Sequence, residues 1–177
     1  MDQRGCVHIY CGEGKGKTEI CVGLAIRAAG AGLKVLFNQF LKNGDSSECV
    51  ILSQIPNLTL WVERPVHKFW QRMNLEEQQQ TQRFYSARLA DIRQQMMADV
   101  YDVIILDELI GAVCAGVISE NEVIQLIDAR PQGVELLMSG RYPTSSLLER
   151  AHYVSQLEAV KHPFKDEQLP ARKGIEY

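Results

Sequence analysis

The chain has 177 residues, 46% hydrophobic and 23% charged, with 19 Lys and Arg against 22 Asp and Glu for a formal charge of −3. That length suits one compact domain, and the composition excludes a disordered chain, a coiled coil and a fibrous repeat. The slightly acidic balance offers no field for non-specific nucleic-acid binding. The longest apolar run, ten residues from Leu109 to Ile118, is too short to span a bilayer, so no membrane partner is expected either.

The opening stretch, Met1-Asp2-Gln3-Arg4-Gly5, lacks the apolar centre of a leader peptide. Cys6, Cys11, Cys21, Cys49 and Cys114 are odd in number and scattered, which fits reduced thiols in the cytoplasm better than a disulfide framework. Cys6–Tyr10 reads as a strand, and Lys17–Ala31 as a helix with Ile20, Leu24, Ala25 and Ala28 on one face and Gly30 and Gly32 as stop signals. Lys34–Phe40 and Leu58–Val62 read as the next strands. Asn74 caps a long polar helix to about Ala98, whose Tyr85, Leu89, Ile92 and Met96 form a narrow buried stripe. Asp102–Leu106 is an apolar strand without alternation, as a strand covered on both faces is. A short helix follows, then one from Ser119 with Glu122 placed for a capping box. Val134–Met138, a short helix over Ser145–Ala151 and a last strand, Tyr153–Leu157, complete the pattern. No repeat or linker divides the chain, so 1–177 reads as one domain, with 164–177 a candidate mobile tail. Alternating strands and helices give an α/β fold with a mostly parallel sheet flanked by helices. Ligands bind such sheets beyond the carboxyl ends of the strands.

Two motifs fall at such ends. Gly12-Glu13-Gly14-Lys15-Gly16-Lys17-Thr18 joins the first strand to the first helix. Its glycines let backbone N–H groups turn inward around phosphates, the helix N-terminus favours an anion, Lys17 reaches phosphate oxygens and Thr18 can ligate Mg²⁺. The general phosphate-loop pattern wants glycine where Cys11 stands. A glycine-rich turn with a capping threonine is the plainer alternative; glycine spacing, Lys-Thr and context together weigh against it. The second motif is the apolar run Val103–Leu106 ending in Asp107-Glu108, which suits the acidic strand end of a nucleotide–Mg²⁺ site. Glu19 follows the loop and reads as an acidic residue suited to a helix N-terminus. Cys6, His8 and Cys11 are a weak metal candidate, because Cys11 faces away from the other two on a strand and a fourth ligand is missing. Phe69-Trp70 reads equally as a ligand-facing loop or as packed surface aromatics.

Taken in order, these landmarks resemble one family. The Gly12–Thr18 loop, Gly23-Leu24-Ala25-Ile26-Arg27-Ala28, Gln39-Phe40-Leu41-Lys42, Leu106-Asp107-Glu108-Leu109, Ala129-Arg130-Pro131, Ser139-Gly140-Arg141, Val160-Lys161-His162-Pro163-Phe164 and Gly174-Ile175-Glu176-Tyr177 are similar to the P-loop type of ATP:corrinoid adenosyltransferase along nearly the whole chain. The resemblance implies a P-loop NTPase fold of the RecA-like kind, a homodimer, and a transient flavodoxin-type reductant. It implies ATP and Mg²⁺, with Co(I) of a reduced corrinoid attacking the ribose C5′ and triphosphate leaving. It further implies that Gly12, Glu13, Gly14, Lys15, Gly16, Lys17, Thr18, Glu19 and Arg27 meet ATP. Thr18, Glu108 and Asp107 would hold Mg²⁺, Lys17, Thr18 and Glu108 would act in catalysis, and Gln39, Phe40, Lys42, Phe69 and Trp70 would meet the corrinoid. The chain departs from the family pattern at Cys11, Glu19, His152, Gln156, the Phe69-Trp70 segment and 166–173. A P-loop ATPase or kinase, and a non-catalytic corrinoid- or ATP-binding paralogue, are the competing expectations. The reaction product distinguishes them.

Overall fold

The computed structural model describes residues 4–42 and 44–177; positions 1–3, part of the stretch assessed for a leader, lie outside. Six strands, β1 (Val7–Cys11), β2 (Val35–Gln39), β3 (Leu58–Trp61), β4 (Val103–Asp107), β5 (Glu135–Ser139) and β6 (Tyr153–Gln156), form one parallel sheet in the order β3-β2-β4-β5-β1-β6. Strand β5 therefore separates the phosphate-loop strand from the Asp107 strand. Residues of β2 and β4 are buried at every position, the consequence of central parallel strands covered on both faces.

Alternation along the strands sorts the core into two layers. Leu36, Ile104, Leu106, Leu136 and Met138 pack with Tyr85, Leu89, Ile92 and Met96 of α3 (Leu75–Met97) and with α4 (Leu109–Cys114) and α5 (Glu120–Asp128). Val35, Phe37, Val103, Ile105 and Leu137 pack against α1 (Lys17–Gly30) and α2 (Glu48–Leu52). The stripe expected on the long helix is thus the observed one, and Asn74 closes its capping box: it accepts from the Glu77 N–H at 2.9 Å, while its own N–H donates to the Glu77 carboxylate at 2.9 Å. Ser119 and Glu122 do the same for α5.

Two expectations need correction. The buried face of α1 is Cys21, Ala25 and Ala29, one residue round from the face read from the sequence; these small side chains let the helix lie close on the sheet, with Leu24 and Ala28 only flanking it. Strands β1, β4 and β5 each run one residue further than expected, so Cys11, Asp107 and Ser139 end them inside the protein. Polarity alone would put Asp107 and Ser139 in solvent; their mutual hydrogen bond lets both be buried. Helix α2, a single 3₁₀ turn at Trp70–Arg72 and α7 (Pro163–Glu167) are additions too short for periodicity to reveal; α6 (Ser145–Arg150) lies where a helix was expected. At the departure His152, the ring Nδ1 accepts the Val7 N–H at 3.0 Å and so ties the start of β1 to β6. Among the described residues no helix is long and apolar enough to cross a membrane.

Burial and capping predict different costs on the same helix. Ile92→Ala, at a fully buried position, is expected to lose about 2–5 kcal/mol of stability, and Asn74→Ala about 1 kcal/mol. Urea denaturation with an unchanged slope in both variants is the check.

Candidate functional site

The loop between β1 and α1 is held in shape by backbone constraints. Gly12 (φ 103°) and Gly16 (φ 113°) adopt the left-handed region that disfavours side chains. A Cβ at Gly12 or Gly14 would strike the backbone of Leu157 and Glu158, where the chain leaves β6, and the Gly14 N–H donates to the Leu157 carbonyl at 2.9 Å. No side chain caps α1, so its first N–H groups are left to a ligand. The Lys17 ammonium donates to the carbonyls of Gly12 (2.7 Å) and Gly14 (2.8 Å), spanning the loop from inside, and burial lowers its pKa. Cys11, before the loop, is a core residue whose thiol pKa is raised by burial.

At the end of β4 Asp107 is fully buried. One carboxylate oxygen accepts from Ser139 Oγ at 2.6 Å; the other accepts from Thr18 Oγ1 at 3.1 Å, Gln39 Nε2 at 3.3 Å and Lys42 Nζ at 2.8 Å. Lys42 also donates to Thr18 Oγ1 at 2.8 Å. The strand ends of β2, β4 and β5 and the start of α1 thus converge on one carboxylate. Glu108, next along, is in the left-handed region (φ 62°) with its N–H donating to Ser139 Oγ at 2.9 Å. Its side chain folds over Gly111, where any Cβ would collide with it. Burial, and then the neighbouring Asp107 charge, raise the Glu108 pKa.

Among the cavities that border this centre, one of about 450 Å³ lies between Thr18, Lys42, Glu48 and Glu176, and two others share a wall. The larger of these two, about 700 Å³, runs along Gly14–Glu19 and is closed by Arg141, Glu108 and the chain from Glu158 to Arg172. The segment read as a tail is therefore drawn over the loop: Lys15 donates to the Ile175 carbonyl at 2.9 Å, Ser47 Oγ to the Tyr177 carbonyl at 3.0 Å, and Lys165 to Glu13 at 3.0 Å. Tyr142 also donates to Glu13. Glu19 is half-exposed and pairs with Lys15 at 3.4 Å, the placement expected of an acidic first-turn residue. The smaller cavity, about 290 Å³, is lined by Lys42, Arg64, Phe69, Trp70, Tyr85 and Glu108 among others. Glu108 belongs to both.

The structure brings together most of the residues singled out, but not all. Gln39 and Phe40 do not line a cleft: Gln39 is 1% exposed and holds Asp107, and Phe40 is fully buried against Tyr85 with ring centroids 5.3 Å apart. Arg27 lies in the last turn of α1, ten residues or about 15 Å along the helix from Lys17, and borders a separate cavity with His8 and Asp102. Trp70 packs on the core, whereas Phe69 is 71% exposed under the Arg72 guanidinium. Cys6, His8 and Cys11 do not gather; His8 meets Glu135 instead. Among the described residues no three His, Cys, Asp or Glu side chains are grouped to hold a metal. The oxygens of Thr18 and Asp107, with a cationic ammonium lodged between them, are still the donor set that suits Mg²⁺ completed by phosphate and water. Ser139 and Arg141 were not assigned roles from the sequence and stood only among the landmarks of the resemblance.

The family described as ATP:corrinoid adenosyltransferase BtuR/CobO/CobP matches residues 3–177. Corrinoid adenosyltransferases from Escherichia coli and Pseudomonas aeruginosa are 33% and 31% identical to the chain, over 100% and 99% of it and 88% and 85% of their own lengths. The Salmonella typhimurium corrinoid adenosyltransferase CobA is 31% identical over 100% of this chain and 88% of its own. Among solved structures, domain III of the Thermotoga maritima replication initiation protein DnaA overlaps 89% of this chain and 56% of that one, with a TM-score of 0.47 and 14% identity, too distant to bear on the site. The match over the full length, with its phosphate loop and acidic strand end meeting at Thr18 and Asp107, places this chain in the ATP:corrinoid adenosyltransferase family.

Proposed function

We propose that this chain transfers the 5′-deoxyadenosyl group of ATP to Co(I) of a reduced corrinoid and releases triphosphate, as a cytoplasmic homodimer served by a flavodoxin-type reductant. The observation that carries the reading is the position of Glu108 in the wall of both cavities. A triphosphate on the loop and a large acceptor beside Phe69 and Trp70 would meet across that residue, which is the proximity a transfer between two bulky substrates requires. Cobalt supplies the electron pair of the new Co–C5′ bond, the C5′–O bond breaks, and its pair leaves with the triphosphate. No protein nucleophile is needed, in keeping with Cys11, Cys21 and Cys49 being buried thiols whose pKa values are raised chiefly by burial.

The chain's own task is to hold and neutralise the leaving group. Lys17 is placed inside the loop, the N-terminus of α1 faces it, and Arg141 closes the cavity. Thr18 and Asp107, with Glu108 adjoining, would hold Mg²⁺, which supplies further positive charge against the triphosphate. The raised pKa of Glu108 favours a second reading, in which this carboxylate acts as base for a water and the chain is an ATPase. The deciding experiment incubates the protein with ATP, Mg²⁺ and chemically reduced corrinoid. A light-sensitive Co–C bond and free triphosphate support transfer; ADP and phosphate without a Co–C bond support hydrolysis.

Three variants probe the parts. Lys17→Ala is expected to lower kcat/KM by about 2–4 kcal/mol in transition-state terms, as loss of a charge-assisted contact does; steady-state kinetics measure it. Phe69→Ala removes an exposed ring, so thermal stability should stay within about 0.5 kcal/mol while corrinoid affinity, read by spectral titration, falls. Glu108→Gln tests the buried carboxyl. The folded protein binds the Glu108 proton more tightly than the unfolded chain does, so stability falls as pH rises from the ordinary carboxylate range through the raised value. Without nucleotide or metal, the Gln variant should therefore melt above the parent at neutral pH, by about 2–4 °C per kcal/mol of relieved strain. The gap should close below about pH 4, and turnover should drop.

A further inference from the structure

Lys42 carries an inference beyond this reading. Its ammonium lies 2.8 Å from Thr18 Oγ1 and 2.8 Å from Asp107 Oδ2, between the hydroxyl and the carboxylate to which the metal is assigned above, and 3.8 Å from Glu48. Asp107 is wholly buried and Lys42 largely so, and a buried carboxylate without a cation is strongly unfavourable. Thr18 donates its proton to Asp107 and accepts from Lys42, so the ammonium stands between the hydroxyl and the carboxylate, where a metal bound to both oxygens would have to sit. Two cations cannot share that position.

We propose that Lys42 is an internal counter-ion that occupies the Thr18–Asp107 pair in the nucleotide-free protein and is displaced by the divalent cation. The site then discriminates against bare metal. A divalent ion alone must evict a covalently tethered competitor, whereas one arriving with a triphosphate brings its own oxygen ligands and the charge that makes the exchange favourable. Asp107 keeps the Ser139 and Gln39 donors throughout. The ammonium already lies 3.8 Å from Glu48, the carboxylate left to it once it is evicted. The inference rests on the proposed function only for the metal at Thr18 and Asp107, and is independent of the acceptor.

The test uses Mn²⁺ as a spectroscopic probe, titrated by electron paramagnetic resonance into the full chain with and without ATP. Lys42→Met should bind Mn²⁺ without nucleotide at least tenfold more tightly than the parent, and Lys42→Arg, which keeps a cation, should behave as the parent does. Equal nucleotide-free affinity in Lys42→Met and the parent overturns the inference. Absence of ATP-dependent Mn²⁺ binding in the parent overturns the metal site, and the inference with it. Should Lys42→Met fail to fold, amine labelling of the parent read by mass spectrometry decides. Mn²⁺ with ATP should raise labelling of Lys42 several-fold, and unchanged labelling overturns the inference.

Discussion

A fully buried carboxylate, Asp107, is the constraint on which the site depends. Taking an ionised group out of water is unfavourable unless hydrogen bonds and a countercharge replace hydration. Here Ser139 from β5, Gln39 from β2, Thr18 from α1 and Lys42 from the following loop supply them. Ser139 and Gln39 sit at the carboxyl ends of their strands and Thr18 at the amino end of its helix. Satisfying one acid thereby fixes the relative heights of three strands and the first turn of α1. The strand order makes this possible: β5 stands between β1 and β4, so Ser139 fills the gap between the loop strand and the acidic strand.

The phosphate loop is held from the other side. Its glycines press against the backbone leaving β6 so closely that a methyl group at Gly12 or Gly14 has no room. Lys17 draws the loop's carbonyls inward in place of a ligand. The residues after β6 then turn back over the loop through contacts of Lys15, Glu13 and Ser47. One sheet edge thus shapes the floor of the cavity and continues into its cover.

Glu108 is the point of strain. Its left-handed backbone, its contact with Gly111 and its raised pKa belong to a carboxyl held where solvent and fold alike oppose its charge. Such arrangements persist when the surroundings over-determine them, and they concentrate at functional sites. Burial and then the Asp107 charge raise the Glu108 pKa, and the Lys42 and Lys17 ammonium groups oppose that rise.

The sequence by itself determined the layer architecture, the loop and the acidic strand end, because each is written in local terms. Uninterrupted apolar strands, a stripe at helical spacing on α3, Asn74 and Ser119 placed for capping boxes, and glycines before Lys17-Thr18 need no distant partner to be recognised. Only the tertiary structure decided what distant residues do to one another. Asp107 and Ser139 are polar, and no local rule buries them; they lie inside because they complete each other across adjacent strands. Gln39 and Phe40 differ from their motif neighbour Lys42 by the pleat of β2 and the turn after it, which send one to Asp107, one into the core and one to Thr18. Arg27 shares a helix with the loop but not its end, since a helix rises too far in ten residues. The C-terminal segment, featureless in periodicity, takes its place from contacts such as that of the Lys15 ammonium with the Ile175 carbonyl, some 160 residues away, a distance in sequence that no local pattern spans.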